Sequence, residues 1–238
     1  MEANQIVDAM RANYTNCSSY EDVGSVRLFT HSRGTEKILN GNFAHVFIRP
    51  NLLKFELFET EQEVERRFVI QSDGDSVRSF EEHSTQGTST LAYDSFASAL
   101  KTTAGITAGV TNVVFSLLGE IDHRYSLVNS KQIKRAVDEV IDGQNCFKLD
   151  FIIDPTVSVE ATAWISNDNF SLIKFEQRFN YTTSYRKSAR EYARIFYEAE
   201  GIPMKDLDET LTNTVIIKFD TVTFNNSINV DKLISHVF

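Results

Sequence analysis

Apolar residues recur at every fourth position at the start of the chain. Ile6, Met10 and Tyr14 fall in line with Ala9 beside them, while Asp8, Arg11 and Asn13 lie elsewhere. This spacing predicts one amphipathic helix laid on a core. The period then changes to two. Val26, Leu28 and Thr30 alternate with Arg27 and Phe29, and Phe43 to Ile48 follows. After the turn Arg49-Pro50-Asn51, Leu53, Phe55 and Leu57 share one face and Lys54 and Glu56 the other. Alternation of this kind predicts an antiparallel sheet with one wet face. Val64, Arg66, Phe68 and Ile70 lead into Ser72-Asp73-Gly74-Asp75, a hairpin turn signal, and Val77 to Glu82 reads as a further strand.

Residues 93–118 break this rhythm. Tyr93, Phe96 and Leu100 fit a helical period, as do Ile106, Val110, Val114 and Leu117. The remainder is mostly Ala, Gly, Ser and Thr, with only Asp94 and Lys101 charged. A nearly uncharged helical stretch amid strands must cover something apolar, as a fixed core helix or as a lid hinged at Gly105 and Gly109. Strands are expected again at Tyr125–Val128, at Ala136–Ile141, through Phe147, Leu149 and Phe151, over Val157–Ile165, and from Phe170 to Tyr181. A second helical insertion carries Tyr185, Ala189, Tyr192 and Phe196 on one face, and Arg186, Lys187, Arg190 and Arg194 on another. Gly201-Ile202-Pro203 ends it, and Val215, Ile217 and Phe219 mark the last strand. The pattern predicts a single domain over residues 1–238: a long, strongly curved antiparallel sheet with an N-terminal helix, a lid near 93–118 and an insertion near 183–211.

Composition narrows the function. The 238 residues include 18 Phe against one Trp, and 33 acidic residues outnumber 24 basic ones for a net charge of -9. An acidic chain without a Lys/Arg-rich run is a poor nucleic-acid binder, so no nucleic-acid partner is expected. Two Cys are too few for a disulfide-rich scaffold or a four-thiolate zinc site. Cys17 and Cys146 are read either as free thiols or as one disulfide. Met1 to Gln5 has neither the basic nor the apolar region of a signal peptide. The residues alone allow a cytosolic protein or an exported chain whose leader has been removed.

Signals for catalysis are missing. His31, His45, His83, His123 and His236 are scattered and no pair has zinc-ligand spacing. No Gly-x-Ser-x-Gly and no phosphate loop occurs. Asp73-Gly74-Asp75 lacks the closing Glu of a calcium loop. No catalytic residue, metal or cofactor is assigned.

The stretch Phe47-Ile48-Arg49-Pro50-Asn51-Leu52-Leu53-Lys54-Phe55 resembles bacterial lipoprotein carriers of the LolA/LolB-like superfamily. Tyr14 to Val26, Asp142-Gly143 through Cys146 and Leu149, Ala163-Trp164-Ile165 with Leu172-Ile173-Lys174, and Phe224-Asn225-Asn226 before Ile228 and Phe238 are similar to a periplasmic branch of it. The resemblance implies a mainly β (α+β) fold, a half-open antiparallel β-barrel whose concave face binds acyl chains under a helical lid. It implies that Arg49 latches the lid, that Cys17 and Cys146 form a disulfide, and that the protein is periplasmic. The insertion near 183–211 is extra to the carriers.

The resulting expectation is a monomeric periplasmic binder or carrier of a lipid or lipid-modified protein, with peripheral membrane contact and no enzymatic activity. Leu53, Phe55, Leu57, Phe68, Phe147, Leu149, Phe151 and Phe175 are assigned to the ligand-binding wall. Leu100, Val110, Val114 and Leu117 are assigned to the lid. The alternatives are an envelope lipid sensor that docks a protein partner through Arg186, Lys187, Arg190 and Arg194, and an enzyme acting on an apolar substrate.

Overall fold

In the computed structural model the described residues are 1–32, 35–61, 64–130, 132–155, 158–180 and 212–228. The N-terminal periodicity forms helix α1 (Ala3–Asn16), with Ile6, Val7, Met10 and Tyr14 buried. Glu2 and Gln5 cap its first turn reciprocally, satisfying amides that have no partner inside the helix. Strands β1 (Ser19–Ser32), β2 (Thr35–Ile48), β3 (Leu52–Glu61), β4 (Val64–Asp73), β5 (Val77–His83) and β6 (Gly87–Tyr93) follow as a meander. Helices α2 (Phe96–Thr103) and α3 (Val110–Leu117) interrupt it. Strands β7 (Gln132–Arg135), β8 (Glu139–Ile141), β9 (Gln144–Asp154), β10 (Val159–Ser166), β11 (Leu172–Asn180) and β12 (Thr212–Phe224) complete the sheet.

All twelve strands belong to one antiparallel sheet, ordered β6-β5-β4-β3-β2-β1-β12-β11-β10-β9-β7, with β8 also on β9. The ends, β6 and β7, do not pair with each other, so the sheet curls without closing. Pairing of β1 with β12 joins the N-terminal meander to the C-terminal one. Gly24 stands at that seam, beside a register shift between Val23 and Gly24. A Cβ there would lie 2.1 Å from the Lys218 carbonyl oxygen and 2.7 Å from the Phe43 ring, so no larger residue fits without moving the seam.

The period-two readings for β3, β4, β9, β10 and β12 match the observed strands within a few residues. Several others do not. The first half of β2 and all of β6 carry no strand signal. Glu36, Lys37, Ile38 and Asn40 are exposed, and so is β6 from Gly87 to Ala92, so neither stretch has a buried face to impose alternation. Tyr93 ends β6 rather than opening the helix. The helical stretch breaks into α2 and α3 around a turn where Ala108 and Gly109 adopt positive φ. A strand was expected at Tyr125–Val128; the chain instead makes a short 3-10 turn at Leu127–Asn129, with Ser126 Oγ accepting from the Val128 amide. Only Glu139–Ile141 of the expected Ala136–Ile141 strand pairs. The insertion near 183–211 lies outside the described residues.

The concave face holds the main core, formed by inward residues of the sheet and the inner faces of the three helices. A small separate cluster, Cys146, Trp164 and Ile173 with Ile141 packed on it, sits on the opposite face. Lys174 Nζ lies 4.2 Å from the Trp164 ring centroid, and Trp164 Nε1 donates to Glu139 at 2.8 Å, so this cluster is roofed by charge.

The disulfide implied by the resemblance is not formed in the structure. Cys17 packs in the main core at the end of α1, whereas Cys146 packs in the outer cluster, and both are free thiols. Cys146 alternates with Phe147 and Leu149 along β9, so its side chain projects from the other side of the sheet. Desolvation by burial pushes both thiols above their ordinary pKa. Native protein at neutral pH should therefore react slowly with iodoacetamide. In denaturant without reductant, intact mass should show two alkylated cysteines; an unmodified mass would restore the disulfide.

Candidate functional site

Eleven of the twelve wall and lid residues read from the sequence are buried in the main core. Leu53, Phe55 and Leu57 on β3, Phe68 on β4, Leu149 and Phe151 on β9, and Phe175 on β11 are all buried in the main core. Leu100 of α2 and Val110, Val114 and Leu117 of α3 are buried in the same cluster. Phe147 differs. It is half-buried at the rim, stacked near Phe170 with Arg135 over its ring at 5.1 Å. On the β2–β4 side the interior is packed with rings: Phe115 of α3 meets Phe47 at 5.5 Å and Phe96 at 5.2 Å.

The other side of the concave face is not filled. A cavity of about 330 Å³ lies between the α2–α3 turn with the start of α3 and strands β1, β11 and β12. Leu28, Ala108, Val113, Phe175, Phe179, Val215 and Ile217 supply apolar walls. Asn112, His123, Tyr125, Ser126, Gln177 and Asn213 supply the polar groups. Among the described residues no Asp, Glu, Lys or Arg lines it. Of the assigned wall residues, Phe175 faces this cavity and the other seven do not line it. Gln177 Nε2 donates to the Tyr125 carbonyl at 3.0 Å. Burial pushes the His123 imidazole below its ordinary pKa, with the Asp122 charge opposing, so the ring is neutral at pH 7.

Arg49 follows β2 at a cis Arg49–Pro50 bond. Its Nη2 donates to the Leu118 carbonyl at 2.7 Å, past the last turn of α3, and to the Tyr14 carbonyl at 3.2 Å. Nε donates to the Cys17 carbonyl at 2.8 Å, and Nη1 pairs with Glu120. One guanidinium thus caps the C-terminal ends of α1 and α3 together, where carbonyls lack helical partners and a cation is favoured. The fork of five donors suits the task in a way a lysine does not.

A buried polar network escaped the sequence reading. Asp22 is 1% exposed in the core, and so is His45. Asp22 Oδ2 accepts from Tyr20 Oη at 2.6 Å, and Oδ1 meets His45 Nδ1 at 2.6 Å and accepts the His45 amide at 3.2 Å. Burial and the neighbouring Asp22 charge push Tyr20 well above its ordinary pKa, so it stays a donor. The available signal was position. Asp22 shares the inward period of Tyr20 and Val26, and His45 that of Phe43 and Phe47, so each is a polar residue at a core site. His45 Nε2 is buried without a hydrogen-bond partner, and so is Ser116 Oγ on α3. Among the described residues no group of three or more His, Cys, Asp or Glu could hold a metal ion.

No family model and no curated protein matches the sequence. Solved structures similar to it include the Mycobacterium tuberculosis lipoprotein LppX (15% identity, 96% of this chain and 99% of that one, TM-score 0.41). A putative outer membrane lipoprotein-sorting protein domain from Vibrio parahaemolyticus shows 9% identity over 99% and 98% of the two chains, with a TM-score of 0.37. A LolA superfamily protein from Nitrosomonas europaea shows 10% identity over 99% and 98%, with a TM-score of 0.30. The superfamily that the Arg49-Pro50-Asn51-Leu52 stretch resembles is thus represented among them.

Two substitutions test the polar ties. Asp22→Ala strands the Tyr20 hydroxyl, the His45 amide and the His45 ring in the core, and should cost about 3–5 kcal/mol in urea unfolding; an unchanged midpoint would show that the network adds nothing. Arg49→Ala should cost about 2 kcal/mol and raise hydrogen exchange in α3 more than in β3. Equal exchange in both elements would show that Arg49 does not tie the helix.

Proposed function

We propose that this protein binds and carries acyl chains, of a lipid or of a lipid-modified protein, in the cavity between α3 and strands β1, β11 and β12. The observation that carries the reading is the cavity itself: space bounded by apolar side chains, with no charged residue among the described residues of its lining, beneath a nearly uncharged helical segment. Its volume of about 330 Å³ is at the lower end of the roughly 300–1,000 Å³ typical of small-molecule sites. Each buried CH₂ contributes about 0.8 kcal/mol, so a chain of ordinary length binds tightly even after the cost of displacing the cover. The cover is the turn at 104–109 with α3, and Arg49 serves as its latch, holding Leu118 and Glu120 until the helix lifts.

The sequence resemblance supports a periplasmic setting and peripheral membrane contact during loading, and no helix among the described residues is long and apolar enough to cross a membrane. The role proposed is binding and carriage, with no catalytic residue assigned. The sensor alternative rests on Arg186, Lys187, Arg190 and Arg194, which lie outside the described residues.

Solvent extraction of the purified protein followed by mass spectrometry should release acyl lipid. Val113→Trp fills the cavity from α3 and should weaken binding of an uncharged fluorescent acyl probe by at least about tenfold with little change in Tm. Undiminished binding in that variant would place the acyl chain elsewhere, and no lipid in either assay would overturn the reading.

A further inference from the structure

The polar groups of the cavity are unequal in a way that selects among lipids. Asn112 is 7% exposed, and its amide oxygen is buried without a hydrogen-bond partner. Asn213, across the cavity on β12, likewise leaves Oδ1 buried and unpartnered. The amide donor of Gln177 is already spent on the Tyr125 carbonyl. Ser126 Oγ accepts the Val128 amide. Two buried amide oxygens on opposite walls of one apolar space therefore stand without a donor. Buried polar groups that lack partners are the exception in folded proteins, and each calls for an explanation.

Charge adds a second constraint. Among the described residues the lining contains no Lys or Arg to meet a carboxylate or phosphate, and no Asp or Glu to meet an ammonium. An ionised group buried there would go uncompensated, which is far costlier than leaving it in water. Burial pushes the His123 imidazole in the lining below its ordinary pKa, which opposes its serving as a cation there.

We infer that the ligand of this cavity is an uncharged lipid whose polar end donates hydrogen bonds through hydroxyl or amide N–H groups, with Asn112 and Asn213 as the acceptors that read it. The inference rests on the acyl-binding reading above and adds the class of headgroup. A free fatty acid anion and a phospholipid head are both disfavoured inside the cavity. A simple ester, which only accepts, leaves both amide oxygens unsatisfied.

The test compares three probes that share one acyl chain: 1-monolauroylglycerol, laurate and methyl laurate, each displacing a fluorescent apolar reporter from the full-length protein at pH 8. Monolauroylglycerol should bind about tenfold or more tighter than either of the others, the size expected for one or two hydrogen bonds to otherwise unpaired groups. Asn112→Leu should bring monolauroylglycerol and methyl laurate to within about twofold, leaving methyl laurate no weaker, and Asn213→Leu should narrow the same gap. Laurate or methyl laurate binding as tightly as monolauroylglycerol to the unaltered protein would overturn the headgroup inference and leave acyl binding standing. Failure of all three probes to displace the reporter would overturn both. The comparison on unaltered protein decides the matter even where a leucine variant does not fold.

Discussion

An antiparallel sheet that curls without closing leaves an apolar concave face that something must cover. A closed barrel of similar size fills its interior with its own inward side chains. Here the ends β6 and β7 stay apart, and the inward Phe, Leu and Ile of twelve strands would meet water without α1, α2 and α3. That requirement accounts for much else in the molecule. It explains why α3 is buried on nearly every side and carries no charge. It explains why one arginine gathers the ends of α1 and α3. It also fits the placing of the polar groups beneath the helices, some tied to Asp22 and others lining a space.

The aromatic surplus falls unevenly over this face. Phe43, Phe47, Phe55, Phe68 and Phe115 lie on or against β2, β3 and β4, where edge-to-face contacts make a solid floor. Toward β1, β11 and β12 the inward residues are smaller or set further apart, and Phe175 and Phe179 border open volume. The Phe residues therefore do two jobs. Most of them fill, and a few bound the part that is not filled.

How much of this was legible in the sequence depended on whether a residue's partners were near it in the chain. Alternation in β3 and β9, the uncharged helical run and the Asp73-Gly74 turn are local signals, and each led to the observed element. Strand β6 was missed because an edge strand exposed along its length has no buried face to impose a period. The Cys17–Cys146 pairing failed because spacing does not say on which face of a sheet a thiol projects. The cavity was illegible for a related reason. Leu28, Val113, Tyr125, Gln177 and Val215 come from five separate stretches, and only the curvature of the sheet brings them together. Asp22 and His45 could have been picked out as polar residues on an apolar period, but their pairing required the β1–β2 register.

The seam between β1 and β12 carries a consequence for how the chain reaches this structure. Within each meander, β1 to β6 and β9 to β12, neighbouring strands in the sheet are also neighbours in sequence, and most are joined by short turns. At the seam, Tyr20 pairs with Phe224 and His31 with Thr212, almost the full length of the chain apart. Closing so large a loop costs more entropy than any hairpin in the sheet, and contacts of this separation slow folding. The tight approach at Gly24 lies on that same seam. The pace of folding is therefore set where the two halves find each other, and a glycine keeps that meeting place clear.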